Sequence, residues 1–201
     1  LKEFSIEGQC FDYGAHKDVF LPLLGMHQLH NAAVVLDVLD QLREIGWNIK
    51  EEDILNGLAE TRWPGRFEVL SKEPLFIVDG GHNPQCIEAL AYNLKTYLEG
   101  RQIIAITGVL ADKDYEEMYR PILPYVSKFL CITPPSPRSL SATELAKQLE
   151  NAGANAQACA DVKEAIRVAM QQVEENGAIV CFGSLYSVGE IQSTFELEHL
   201  H

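Results

Sequence analysis

The fold of this chain is indicated most clearly by one sequence, Phe76-Ile77-Val78-Asp79-Gly80-Gly81-His82-Asn83-Pro84. An apolar run that ends in polar turn residues and a proline is typical of a buried strand, with a helix beginning at or just after the proline. Folds of the α/β class bind ligands in the crevice at the carboxyl ends of their strands. Asp79 and His82 are therefore predicted to lie at the mouth of a site. Taken alone, the same residues also suit an ordinary strand end followed by a turn.

After Arg66 the sequence alternates between strand-like and helix-like segments. Strands are predicted at residues 67–70, 75–78, 102–107, 129–133, 156–158 and 178–182. Helices are predicted at residues 85–98, 115–126, 142–152, 162–174 and 186–195. Three of them begin with capping-box pairs, which are Asp114 with Glu117, Ser141 with Glu144 and Asp161 with Glu164. This alternation predicts the α/β class, with an open, mostly parallel sheet covered by helices on both faces.

The first 62 residues have a different pattern. The first two dozen residues are typical of two or three short strands. A helix is predicted to follow, because apolar residues from Leu29 to Leu42 recur at the three- and four-residue spacing of a helix. Gly46 is predicted to close this helix, and a second helix is predicted at residues 51–59. Because a residue before proline is pushed into extended conformations, Trp63-Pro64 is predicted to connect two domains.

Composition restricts the classes of function. A formal net charge of -13 argues against a nucleic-acid surface but leaves room for anionic small ligands near Arg66, Lys113 and Arg138. No long apolar run or secretory signal is present, so no membrane contact is expected and the predicted location is cytoplasmic. Five widely spaced cysteines predict reduced thiols, three of them in the core at Cys131, Cys159 and Cys181.

Several chemical motifs are absent from the sequence. The chain has no His-Glu-x-x-His or other cluster of metal ligands, so no metal site is predicted in it, and no Gly-x-Ser-x-Gly nucleophile turn. It also lacks the Gly-x-x-x-x-Gly-Lys-Ser/Thr phosphate loop. An ATP-dependent reaction would therefore need a phosphate loop supplied from elsewhere.

A set of short motifs, taken together and in order, resembles folylpolyglutamate synthase, a family of the Mur ligase superfamily that is often bifunctional with dihydrofolate synthase in bacteria. The resemblance extends from about Phe20 to Ile191. The motifs are Leu24-Gly25-Met26-His27-Gln28 with Asn31, Trp63-Pro64-Gly65-Arg66, Val78 to Pro84, Gly108 with Asp112-Lys113-Asp114, Pro137-Arg138, and Gly183-Ser184-Leu185-Tyr186 with Gly189-Glu190. One position departs from the family's pattern, because Gly81 stands where alanine is expected and lacks only a methyl group.

The resemblance implies a domain organisation. Members have an N-terminal ATPase domain with the phosphate loop and a C-terminal Rossmann-like ligase domain. Residues 1–62 would be the end of a truncated ATPase domain, 63–66 a linker and 67–197 the ligase domain, while 197–201 resembles a cloning scar. The chain begins with Leu1, which also suggests a fragment, and a fragment without the phosphate loop is expected to be inactive alone.

The resemblance also implies a reaction and its residues. ATP and Mg²⁺ would convert a carboxyl group of folate or dihydropteroate into an acyl phosphate, which the amine of L-glutamate attacks. Arg66, Asp79 and His82 would be catalytic; His27 and Asn31, with Arg66 and Asp79, would bind ATP. His82, Ser184 and Tyr186, and less clearly Lys113, would lie on the glutamate side, with the metal ligands mainly in the missing domain.

Two other functions fit the same fold. A non-catalytic nucleotide-binding or regulatory module would have the same crevice, but it would close its own pocket rather than face a partner domain. A Mur-type ligase acting on cell-wall precursors is the other alternative. The turn from Gly183 to Tyr186 favours the folate branch, with the protein's own ATPase domain as its partner.

Overall fold

The computed structural model describes residues 1–111 and 115–199, and its contacts divide the chain into two units, Leu1–Pro64 and Gly65–His201. The division falls inside the segment predicted as a linker. Each unit has a hydrophobic core of its own. The assignment of the first unit to an ATPase domain stays a prediction.

The first unit contains a small antiparallel sheet and two helices. Its strands, in spatial order, are β1 (Glu3–Ser5), β2 (Gly8–Tyr13) and β3 (His16–Leu21). Helices α1 (Met26–Glu44) and α2 (Glu51–Ala59) follow, the second with the predicted bounds. Gly46 has a φ of 100°, a left-handed conformation that suits a glycine just after a helix. The apolar faces of these elements enclose a core formed by Phe11, Val19, Leu21, Leu29, Ala32, Leu36, Ile54 and Leu58.

A buried histidine joins three elements of this unit. The His16 side chain on β3 is 1% exposed. Its Nδ1 lies 2.7 Å from Glu51 Oε1 on α2, and its Nε2 lies 3.2 Å from Asp40 Oδ2 on α1. Arg43 Nη1 donates to the other oxygen of Glu51 at 2.9 Å. Desolvation lowers the pKa of His16, but the hydrogen bonds and charges of the two carboxylates outweigh it, so the net pKa is raised.

We expect this arrangement to make the first unit less stable at high pH. A histidine whose pKa is raised by folding stabilises the fold fully below its unfolded pKa of about 6.5, and that stabilisation is lost as pH rises through the folded pKa. His16→Gln should lower the free energy of unfolding by about 1–2 kcal/mol at about pH 6 and by less at about pH 9. Urea denaturation followed by tryptophan fluorescence measures this, because both tryptophans, Trp47 and Trp63, lie in the first unit.

The exposed His30 of α1 provides the control. His30→Gln should leave the pH dependence unchanged. Equal losses of stability for His16→Gln at both pH values would contradict the expectation.

The second unit is built on a six-stranded sheet. Its elements in chain order are β4 (Glu68–Lys72), β5 (Leu75–Val78), α3 (Pro84–Tyr97), β6 (Ile103–Thr107), α4 (Tyr115–Tyr119), β7 (Lys128–Cys131), α5 (Ala142–Asn151), β8 (Ala156–Ala158), α6 (Val162–Gln172), β9 (Ala178–Phe182) and α7 (Leu185–His199). The spatial order is β4-β5-β9-β6-β7-β8, with β4 antiparallel to β5 and every other pairing parallel.

Helices cover both faces of this sheet. Because successive strand residues point to opposite faces, alternate positions of β5, β6, β7 and β9 form one core with α6 and α7. The remaining strand positions are also buried, and so are the apolar residues of α3 and α5. The strands are therefore apolar on both sides, as parallel sheets require. The predicted α/β, Rossmann-like fold with a mostly parallel sheet is confirmed.

Most predicted elements occur within a few residues of their expected positions, but the helix predicted at 115–126 is wrong. Helix α4 stops at Tyr119, and a 3₁₀ turn at Leu123–Tyr125 follows. Pro121 and Pro124 explain the break, since proline removes a backbone donor and clashes with the preceding helical turn.

Two of the three predicted caps are confirmed. Ser141 accepts a hydrogen bond from the Glu144 amide, and Asp161 accepts one from the Glu164 amide. The third, Asp114, lies outside the described residues.

Cys131, Cys159 and Cys181 are buried and free, as predicted. Desolvation raises the pKa of the Cys131 thiol to about 12, so it stays protonated. Within residues 1–111 and 115–199, no helix has the length and apolarity needed to cross a membrane.

Candidate active site

Strand β9 brings distant turns together. It lies between β5 and β6, so the turns that follow these three strands are neighbours at one edge of the sheet. The Gly183 amide, just after β9, donates to the Gly81 carbonyl, just after β5, at 3.0 Å. A Cβ on Gly183 would lie 2.6 Å from the Gly108 carbonyl oxygen, and a Cβ on Gly108 would lie 2.6 Å from the Ile132 carbonyl oxygen. Glycine therefore allows the turns to pack directly against each other.

Asp79 holds the first of these turns through both carboxylate oxygens. Oδ1 accepts the Gly81 amide at 2.7 Å, and Oδ2 accepts the Phe67 amide at 2.9 Å. Phe67 has a φ of 44°, an unfavourable left-handed conformation for a non-glycine residue. The bond from Asp79 offsets part of this strain and ties the start of β4 to the end of β5.

Arg66 lies in the segment that Asp79 restrains. The Gly65 amide donates to Glu68 Oε2 at 2.7 Å, and the Gly80 amide donates to the Gly65 carbonyl at 2.7 Å. A Cβ on Gly80 would meet the Leu185 side chain and would lie 3.0 Å from Arg66 Nη1. The half-buried Arg66 guanidinium is thus adjacent to the turn that contains Asp79.

His82 completes this turn in a defined tautomer. Its Nδ1–H donates to the Gly80 carbonyl at 2.9 Å, so the neutral ring keeps the lone pair of Nε2 available as an acceptor. Asn83 then caps α3 by accepting the Cys86 amide at 3.0 Å, and Pro84 occupies the first helical position, as the sequence predicted.

Gly81 contributes more than a missing methyl group. A Cβ at this position would lie 2.8 Å from Asp79 Oδ1 and 3.2 Å from Cys86 Cβ. An alanine at this position would therefore require the Asp79 carboxylate to shift.

A cavity of about 450 Å³ opens beside these turns. It is lined by His82, Leu110, Arg138, Gly183, Ser184, Leu185 and Tyr186. The structure therefore brings together three residues predicted on the glutamate side, His82, Ser184 and Tyr186. Ser184 is buried, whereas Tyr186 is exposed.

Arg138 is a lining residue that the sequence interpretation noted as a cation without assigning it to the site. The Ala111 amide donates to the Arg138 carbonyl at 2.8 Å, and Leu110 forms an isolated antiparallel β-bridge with Ser139. These contacts join the turns after β6 and β7 at the cavity. The signals for Arg138 in the sequence were its positive charge and its place in the motif Pro137-Arg138 at a strand end. Leu110 and Leu185 also lie in turns that follow predicted strands, and Leu185 belongs to the motif Gly183-Ser184-Leu185-Tyr186.

The other predicted residues are placed as follows. His27 and Asn31 lie on α1 in the first unit, and the Asn31 side-chain amide donates to Gln28 Oε1 at 3.1 Å. Lys113 lies outside the described residues. Among the described residues, no group of three His, Cys, Asp or Glu side chains is placed to hold a metal ion.

A mostly parallel sheet whose strand order reverses beside a glycine-lined cavity is the arrangement in which α/β domains usually place a small-ligand site. Comparison with known protein families shows which family of α/β domains this is. Residues 65–185 match the family "Mur ligase, glutamate ligase domain", which is more than half of the chain. The chain belongs to this Mur ligase family.

Relatives include folylpolyglutamate synthases, which confirms the resemblance found in the sequence. The chain is 32% identical over 193 residues to folylpolyglutamate synthase of Lacticaseibacillus casei, covering 93% of this chain and 44% of the relative. It therefore spans less than half of that protein's length.

Solved structures of similar fold include the following two. The Mycobacterium tuberculosis folylpolyglutamate synthase complexed with ADP has a TM-score of 0.84 and 27% identity, over 95% of this chain and 46% of that one. The bifunctional folylpolyglutamate synthase/dihydrofolate synthase of Yersinia pestis, complexed with AMPPNP and a manganese ion, has a TM-score of 0.75 and 31% identity, over 88% of this chain and 41% of that one.

Asp79→Asn should destabilise the second unit. An asparagine side chain offers one acceptor oxygen, so either the Phe67 or the Gly81 amide faces an NH₂ group instead. We expect a loss of about 1–3 kcal/mol in the free energy of unfolding, measured by urea denaturation followed by far-UV circular dichroism. Asp161→Asn is the matched control, because asparagine caps a helix as well as aspartate does. Equal stability of the two variants would argue against the structural role of Asp79.

Gly183→Ala should distort the turn after β9. Its φ of 109° disfavours a side chain, and the new Cβ would also collide with the Gly108 carbonyl. Gly153→Ala separates these causes, because Gly153 has a φ of 86° with open space around it. We expect about 1–2 kcal/mol of destabilisation for Gly153→Ala and a larger loss for Gly183→Ala, measured by the same denaturation. A smaller loss at Gly183 would contradict the close packing of the turns.

Proposed function

We propose that this chain is the glutamate-binding part of a cytoplasmic, ATP-dependent ligase that adds L-glutamate to a folate, and also to dihydropteroate if the full protein is bifunctional. The observation that carries the proposal is the cavity at the switch point. It combines one arginine, one histidine with a defined tautomer and two hydroxyl-bearing residues. Such a cavity suits a small amino acid with two carboxylates, because Arg138 supplies positive charge and the first amides of α7 supply donors.

The reaction has two steps. A carboxylate oxygen of the pterin substrate attacks the γ-phosphorus of ATP, giving an acyl phosphate and ADP. The glutamate nitrogen, as the free amine, then attacks the acyl carbon, the amide bond forms and phosphate leaves with the electrons of the broken C–O bond. The nitrogen loses a proton in this step, and the Nε2 lone pair of His82 is the acceptor that we assign.

Arg66 and Asp79 have separate parts in this proposal. Arg66 meets the negative charge that develops on phosphate oxygens, which is the main requirement of phosphoryl transfer. Asp79 keeps the Arg66 segment in place through its bonds to Phe67 and Gly81. Mg²⁺ would neutralise the ATP phosphates, and its ligands would come mainly from the ATPase domain. His27 and Asn31 are proposed to contact the adenine, and Lys113 to assist on the glutamate side.

The proposed partner is the protein's own ATPase domain. Three valines on α1, Val34, Val35 and Val38, are 62%, 45% and 53% exposed. They lie within about one turn of each other, so they form an apolar stripe of the kind that packs against another element. Coverage of this stripe by the remainder of an ATPase domain would also supply the phosphate loop.

The decisive assay measures glutamate incorporation. The 201-residue chain would be incubated with ATP, Mg²⁺, radiolabelled L-glutamate and tetrahydrofolate or dihydropteroate, alone and together with a separately expressed ATPase domain. We expect no product from the chain alone and product from the mixture. In the complete enzyme, alanine at Arg66, Asp79 or His82 should lower the rate at least about tenfold, or roughly 1.4 kcal/mol of barrier. Rates near wild type for all three variants would overturn the assignment.

Arg138→Gln should weaken glutamate binding. Loss of a charge-assisted contact costs about 1.5–3 kcal/mol, so we expect the Kd for L-glutamate to rise at least about tenfold. Arg167→Gln is the control, because Arg167 is an exposed residue of α6 that does not line the cavity. Isothermal titration calorimetry on the chain compares the two variants with wild type. An unchanged Kd for Arg138→Gln would remove Arg138 from the site.

A further inference from the structure

A pair of buried hydroxyl groups lies next to Gly183, one of the residues that line the cavity. Thr107 is the last residue of β6 and is completely buried, so its hydroxyl needs a partner inside the protein. That partner is Tyr119 of α4, whose Oη lies 2.7 Å from Thr107 Oγ1. Tyr119 is 3% exposed, and its ring centroid lies 5.9 Å from those of Phe129 and Phe182. Ring packing thus holds the position of the Tyr119 side chain, and its hydrogen bond holds the orientation of the Thr107 hydroxyl.

The Thr107 hydroxyl also lies beside Gly183 in the turn after β9. A Cβ placed on Gly183 would lie 2.9 Å from Thr107 Oγ1, so this oxygen occupies the space that a side chain at Gly183 would need. Threonine carries a hydroxyl and a larger methyl group on Cβ, and its χ1 rotamer decides which group faces Gly183. Because the Thr107 hydroxyl is hydrogen-bonded to Tyr119, the hydroxyl rather than the larger methyl group is held facing Gly183.

We infer that Tyr119 is a positioning residue: its hydrogen bond to Thr107 sets the geometry of the turn formed by Gly183 and Ser184. Gly183 and Ser184 both line the cavity, and the Gly183 amide donates to the Gly81 carbonyl at 3.0 Å. A shift of Gly183 therefore moves a wall of the cavity and its link to the turn of Asp79 at the same time. The effect on glutamate binding rests on the proposed function, whereas the effect on the turn does not.

Three variants separate the roles of the two hydroxyls. Tyr119→Phe removes one hydroxyl, Thr107→Val replaces the other with a methyl group, and Thr107→Ser keeps the hydroxyl while removing the methyl group. Tyr125→Phe is the control, since Tyr125 lies in the 3₁₀ turn of the same connection and is not a cavity residue. Thermal unfolding first establishes which variants fold.

The measurements are the ¹H–¹⁵N amide resonances of Gly183 and Ser184 in the ligand-free chain, followed by titration with L-glutamate. We expect both resonances to move in Tyr119→Phe and Thr107→Val and to stay in place in Tyr125→Phe. We expect the Kd for L-glutamate to rise about fivefold in the first two variants, the equivalent of one hydrogen bond, and Thr107→Ser to keep most of the wild-type affinity.

Unmoved resonances in folded Tyr119→Phe and Thr107→Val overturn the inference, and so does an unchanged Kd where the wild-type chain binds glutamate. If the wild-type chain binds no L-glutamate, the proposed function fails, and the resonances alone decide whether Tyr119 positions the turn. If Tyr119→Phe does not fold, the comparison of Thr107→Val with Thr107→Ser gives the same decision, because only the valine lacks the hydroxyl.

Discussion

The hydrogen bond from the Gly183 amide to the Gly81 carbonyl joins the two turns on which the candidate site depends. It forms because β9 enters the sheet beside β5, and the absence of a side chain at Gly183 lets the same turn pack against the Gly108 carbonyl on its other side. A backbone contact of this kind is more rigid than one between long side chains, since no rotamers need to be ordered. The cavity residues His82 and Ser184 take their positions directly from it.

Asp79 shows how one carboxylate can hold two backbone segments beside a candidate site. Its two oxygens accept backbone amides from separate segments, so the charge is used to hold Phe67 and the neighbouring Arg66 in place. The left-handed φ of Phe67 is a local cost that the surrounding hydrogen bonds offset, which is common where a backbone must present a functional side chain. A role in nucleotide chemistry would therefore be exerted partly through Arg66.

The positive charges of Arg66 and Arg138 lie at the candidate site of an otherwise acidic chain. The protein is strongly acidic, yet Arg66 lies beside the turn of Asp79 and Arg138 lines the cavity. Against a net charge of -13, local cations and amide donors make these places suitable for anions. Membership of the Mur ligase family agrees with a site that receives an anionic amino acid.

The sequence alone determined the α/β class, the strands and most helices, the Ser141 and Asp161 caps, and the strand-end turn with Asp79 and His82 that leads into a helix at Pro84. These features depend on residues close together in the chain, where hydrophobic period, capping and proline act locally. The helix expected at 115–126 is wrong because Pro121 and Pro124 interrupt the helical hydrogen bonds. Only the tertiary structure decided the position of β9 and the place of Arg138 at the cavity. It also decided which amides donate hydrogen bonds to Asp79 and that Thr107 lies beside Gly183. Each of these joins segments that are distant in sequence, and local patterns carry no information about which distant backbones will meet.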